Sequence, residues 1–106
     1  MPLLPSGLQS LTFGKEFNKS LDNTTLPSTL KSLTFGREFN ESLDHTTLPD
    51  SIQAITFGEE FRQLMDDVRL PRCLEVLNFG YSFNQCMEYV FLPSCLKVLN
   101  LSLIHI

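Results

Sequence analysis

The chain has 106 residues, of which 42% are hydrophobic, 10% aromatic and 19% charged, with twelve acidic against eight basic side chains and a formal net charge of −4. That apolar share is too high for a disordered segment, and it is scattered rather than gathered into the run of about 20 residues that a membrane helix needs. The acid excess lacks the basic footprint of nucleic-acid or anionic-membrane binding, so neither is an expected partner.

Leu4-Pro5 opens a pattern that then repeats. Leu8 follows, and Ser10-Leu11-Thr12-Phe13 alternates polar and apolar, the period-two signature of a strand with one buried face, placed near residues 10–13. Gly14 comes next, where a positive φ or a close backbone approach would exclude a larger residue, so the chain leaves the strand there. Phe17-Asn18 and Leu21 complete the unit. Leu26-Pro27 starts it again, with a strand near 32–35, Gly36, Phe39-Asn40 and Leu43. The third unit runs from Leu48-Pro49 through a strand near 54–57, Gly58, Phe61-Arg62 and Met65. The fourth runs from Leu70-Pro71 through a strand near 76–79, Gly80, Phe83-Asn84 and Met87, and Leu92-Pro93 precedes a last strand near 98–101. Each proline fixes φ, lacks an N–H and biases the leucine before it toward extended geometry, which suits a second corner and opposes a helix.

Each Leu-Pro lies 22 residues after the last, without a slip. The stretch Pro5 to Leu26 differs from Pro27 to Leu48 only at Gly7/Thr29, Gln9/Lys31, Lys15/Arg37, Lys19/Glu41 and Asn23/His45, which implies a recent tandem duplication. A period of 22 is short for a helix pair and long for one hairpin, but it suits one winding of a solenoid. Six apolar columns recur, among them Leu11, Leu33, Ile55, Leu77, Leu99; Phe13, Phe35, Phe57, Phe79, Leu101; and Phe17, Phe39, Phe61, Phe83. A single coil cannot hide them, whereas stacked coils share the burial, each Phe lying on the one beneath. The expected fold is mainly β: a parallel β solenoid of leucine-rich-repeat type, with one short strand per 22-residue coil and little or no regular helix.

The skeleton Leu-Pro-x-x-Leu-x-x-Leu-x-Phe-Gly-x-x-Phe-Asn resembles the FNIP repeat, a 22-residue relative of the leucine-rich repeats named for its Phe-Asn pair. Phe17-Asn18, Phe39-Asn40 and Phe83-Asn84 match that pair, and Phe61-Arg62 departs from it. The resemblance implies an asparagine ladder bonding the backbones of adjacent coils, interrupted at Arg62, which puts the regularity of the third coil in question. It also implies a protein-binding array, of a kind often found beside a separate domain such as an F-box.

Residues 1–100 are expected to form one repeat domain within a longer array, with end-to-end association through its uncapped coils. The tail Leu101-Ser102-Leu103-Ile104-His105-Ile106 has two readings: the translation of an adapter used in DNA library preparation, or an extension of the last strand.

Catalytic signals are missing from the pattern. His45 and His105 have no partner at metal or catalytic spacing, and neither a nucleophile with a base nor a phosphate-cradling glycine loop occurs, so no enzyme and no cofactor is expected. Two acidic columns, Asp22, Asp44, Asp66, Glu88 and Glu16, Glu38, Glu60, read as turn formers and screened surface groups, because no oxygen-ligand loop accompanies them. Three cysteines without a secretory leader point to reduced thiols and a cytoplasmic setting. Cys73 and Cys95, one period apart, admit either two free, partly buried thiols or a bridge between coils, and Cys86 is left over.

The outward strand face is the expected protein-binding surface. Ser10, Thr12, Ser32, Ala54 and, as the candidate contact residues, Thr34, Thr56, Val76, Asn78 and Val98 point out, with Lys15, Arg37, Glu59 and Tyr81 at the rim. Val76, Val98 and Tyr81 make the later coils more apolar outside, which marks a contact patch or the seat of a following coil. A purely structural spacer is the alternative to an interaction scaffold.

Overall fold

A computed structural model describes residues 7–21, 26–43, 46–63, 65, 68–80, 83 and 92–100. Among these residues five short strands, β1 (Ser10–Thr12), β2 (Ser32–Thr34), β3 (Ala54–Thr56), β4 (Val76–Asn78) and β5 (Val98–Asn100), form one parallel sheet in chain order. Every neighbouring pair is in register at the repeat period: Leu11 faces Leu33, Leu33 faces Ile55, Ile55 faces Leu77, and Leu77 faces Leu99. No helix occurs among the described residues. The molecule is a parallel β-solenoid, as the periodicity predicts. Strands β1 to β4 each stop one residue short of the alternating run, at the residue before the phenylalanine.

Coil corners are tight turns closed by hydrogen bonds from residue i+3 to residue i. At the proline corner the N–H groups of Leu30, Ile52, Leu74 and Leu96 donate to the carbonyls of Pro27, Pro49, Pro71 and Pro93 at 3.1–3.2 Å. At the glycine corner Phe17, Phe39 and Phe83 donate to Gly14, Gly36 and Gly80 at 3.2–3.4 Å. A third corner closes where Thr46 donates to Leu43 and Val68 to Met65, each at 3.1 Å. Neither Gly nor Pro marks it, and its sequence signal is the acidic column Asp22, Asp44, Asp66, which reads as turn formers.

Why glycine recurs is settled by packing. None of Gly14, Gly36, Gly58 and Gly80 has a positive φ. A Cβ on Gly36 would instead drive into the carbonyl of Gly14 and sit 3.0 Å from the Cα of Lys15, and Gly58 and Gly80 stand in the same relation to the glycine one coil earlier. Backbone lies directly on backbone at this corner. Pairing accordingly continues past it: the N–H of Glu38 donates to Lys15 O at 3.0 Å, and that of Glu60 to Arg37 O at 2.9 Å.

The apolar columns meet inside. Leu30, Leu33, Ile52, Ile55, Leu74 and Leu77 are fully buried, as are Phe39, Phe61 and Phe83. Rings of the strand column stack coil on coil, with centroids 5.3 Å apart for Phe13 and Phe35, 5.2 Å for Phe35 and Phe57, and 5.2 Å for Phe57 and Phe79. The second column repeats this at 6.2, 6.1 and 6.1 Å from Phe17 to Phe83. Within a coil the two rings approach to 3.9–4.4 Å, so the phenyl groups form one continuous two-ring-wide column. Leu101 and Met87 lie outside the described residues. A seventh core column, buried at Thr46 and Val68, was not among the six read from the pattern. Its β-branched residues Thr24, Thr46, Val68 and Val90 were the available signal.

Candidate functional site

Strand pleating aims alternate side chains to opposite faces. Leu33, Ile55 and Leu77 point in and are buried, so their neighbours Ser32, Thr34, Ala54, Thr56, Val76 and Asn78 stand on the outer face and are half-buried. In the outermost strands the flanking residues Ser10, Thr12, Val98 and Asn100 are exposed. In-register pairing turns these into two rows: Ser10, Ser32, Ala54, Val76, Val98 and Thr12, Thr34, Thr56, Asn78, Asn100. The first row becomes apolar along the axis and ends in Val98, which is 41% exposed. Leu92, at the proline corner of the same coil, is 36% exposed.

The second row bonds to itself. Asn78 Nδ2 donates to Thr56 Oγ1 at 3.2 Å, and Asn100 Nδ2 donates to Asn78 Oδ1 at 2.6 Å. An amide both donates and accepts, so Asn78 takes part in two rungs at once. At the rim, the Arg37 guanidinium lies 3.2 Å from Glu59 Oε2 and 3.8 Å from Glu60 Oε2 in the next coil. Both partners of the closer pair are about half exposed, so the pair fixes side-chain position more than it stabilises the fold. Lys97 and Glu75 form a similar link at 3.7 Å between the last two coils. Tyr81, the remaining rim candidate, lies outside the described residues, as do Asp22, Asp44, Asp66, Glu88, both histidines and Cys86.

The asparagine ladder is present on the opposite side of the glycine corner. Asn18 Oδ1 accepts the N–H of Asn40 at 2.8 Å, and Asn40 Oδ1 accepts the N–H of Arg62 at 3.0 Å. Arg62 therefore does not break the third coil, because a rung needs only a backbone N–H from the upper residue. Gln63 Nε2 reinforces that rung, donating to Asn40 O at 3.0 Å and Asn40 Oδ1 at 3.1 Å. β3 keeps full register with β2 and β4.

A hydroxyl row runs beside the proline corner. Thr29 Oγ1 donates to Leu8 O at 2.8 Å and Ser51 Oγ to Leu30 O at 2.6 Å, each reaching the coil before. The next two members of that column are Cys73 and Cys95, which are free and exposed rather than partly buried.

The FNIP Repeat family model matches residues 3–38 and 61–103, more than half of the chain. The chain belongs to the FNIP repeat family. No curated protein matches it. Among solved structures it is similar to one described as the crystal structure of CroV588, a novel circular LRR protein, at 42% identity and a TM-score of 0.82 over 91% of this chain. The FNIP chain spans only 14% of that protein's length. A leucine-rich-repeat-like solenoid is thus shown by family, by fold and by neighbour.

Proposed function

We propose that this FNIP chain is a non-catalytic scaffold for protein–protein interaction, working in the cytoplasm as a segment of a repeat array. The supporting observation is the outer strand face, on which in-register pairing sets fixed rows of side chains whose exposed apolar character peaks at Val98. Contacts made by such a face need little rearrangement, because the strands beneath are already ordered by their neighbours. The odd count of three cysteines supports a reducing setting. Among the described residues β1 and β5 pair on one side only, which supports end-to-end association through their open edges as part of the same proposal.

Arg37 and Glu59 satisfy one another, and Asn78 is engaged on both sides by Thr56 and Asn100, which favours a second reading in which the array is a spacer without a ligand. Val98→Glu separates the two. The scaffold reading expects stability within about 0.5 kcal/mol of the parent and loss of a protein partner that the parent captures from lysate and binds again when purified. Equal partner binding by parent and variant would exclude this face as the binding surface.

A further inference from the structure

Cys73 and Cys95 occupy one column at equivalent positions of the same turn. Each is the third residue of a proline corner closed by a hydrogen bond, from Leu74 to Pro71 at 3.2 Å and from Leu96 to Pro93 at 3.1 Å. Just beyond them the coils are locked together: the N–H of Lys97 donates to Glu75 O at 2.8 Å, and Val76 faces Val98. Two residues so placed are separated by one inter-strand step, roughly 4.8 Å between backbones, inside the disulfide window of about 4.4–6.8 Å between Cα atoms. The hydroxyls of Thr29 and Ser51 show where this column aims, across to the adjacent coil. Both thiols are exposed, and neither has a hydrogen bond among the described residues that would hold it in place. A groove of about 360 Å³ is lined by their chain neighbours Arg72 and Ser94, with Arg69, Leu70 and Pro93.

We propose that Cys73 and Cys95 form an oxidisable clip, closed by thiol–disulfide exchange with a small-molecule disulfide such as oxidised glutathione. The thiolate of one cysteine attacks a sulfur of the small disulfide, breaking its S–S bond and releasing one small thiolate. The second protein thiolate then attacks the mixed disulfide at the protein sulfur, forming the Cys73–Cys95 bond and releasing the other small thiolate. The two protons lost by the protein thiols end on the two released small thiols. Two protein thiols are oxidised and one small disulfide is reduced. The clip ties the last coil to the fourth covalently, where Lys97 and Glu75 already hold them by charge.

The test is equilibration of the full chain with oxidised glutathione, followed by peptide mapping without reduction and by amide exchange. The expected product is lighter than the reduced chain by two hydrogens, carries a Cys73–Cys95 peptide, and shows protection over Val98–Asn100 increased on the order of tenfold or more, since closing the loop removes disorder from the opened coil. Cys86→Ser should leave this outcome intact. In the Cys86→Ser background, Cys73→Ser and Cys95→Ser, which place at either position the residue that this column already holds at Ser51, should each stop at a single glutathione adduct on the remaining partner. Adducts on both cysteines of the parent without a bridge, bridges made only to Cys86, or a Cys73–Cys95 bond that leaves exchange over Val98–Asn100 unchanged would each overturn the proposal.

Discussion

A glycine surrounded by backbone and a glycine facing open space are the same residue under opposite constraints. Around Gly14 no atom lies within 4 Å of the position a Cβ would take, whereas around Gly58 that position falls inside the carbonyl of Gly36. Neither has a positive φ. Gly14→Ala should therefore be neutral or stabilise by up to about 1 kcal/mol through the unfolded chain, while Gly58→Ala should destabilise by about 1–3 kcal/mol by prising coils apart. Urea titrations of the two variants check this, and equal signs would contradict it. Asn40 makes a second test at this scale. Its side-chain oxygen accepts from both Arg62 N and Gln63 Nε2, so Asn40→Ala should cost about 1–2 kcal/mol by the same measurement. The glycine column is legible in the sequence because a close backbone approach admits no larger residue, whereas the asparagine ladder is legible only through the resemblance to the FNIP repeat. At Arg62 the rung from Asn40 is kept, because it uses the backbone N–H, while the guanidinium has no acceptor to offer the next coil, and Asn84 lies outside the described residues.

At the level of the strand, three residues suffice because pairing on both sides and the ring column beneath supply what a short element lacks. Phe57 is 3% exposed and stacks at 5.2 Å on a phenylalanine of each neighbouring coil. Phe57→Ala should cost about 3–5 kcal/mol, while Thr56→Ala, which loses one half-buried hydrogen bond from Asn78, should cost under about 1 kcal/mol. Comparable losses in denaturant would mean that the inward and outward faces are exchanged. Alternation over Ser32, Leu33 and Thr34 was enough to read those faces, and opposite charges in one column at Arg37 and Glu59 carry the signal for their pairing. The Leu43–Thr46 and Met65–Val68 corners carry neither Gly nor Pro, so their mark in the sequence is the acidic column of Asp44 and Asp66, which reads as turn formers.

Across the whole molecule, each coil contacts only those beside it, so stability is a sum of neighbour terms rather than the property of one central core. The gradient in burial follows: Leu33, Ile55 and Leu77 are fully buried, whereas Leu11 and Leu99 in the outermost strands are only partly so. The period of 22 makes this architecture readable from the sequence, since a repeat that cannot bury its own side chains must stack. What the outer face meets was not readable in the same way, because rows such as Thr12 to Asn100 obey the internal demand for rungs as well as any external one.

A double-mutant cycle on the ring column tests the stacking directly. Phenylalanine-to-leucine changes at Phe35 and Phe57, whose rings lie 5.2 Å apart, should couple by about 0.5–1.5 kcal/mol in urea unfolding, whereas the same changes at Phe13 and Phe79, separated by two intervening rings of the same column, should add within about 0.5 kcal/mol. Additivity at Phe35 and Phe57, or coupling as large between Phe13 and Phe79, would contradict a solenoid held together by contacts between successive coils.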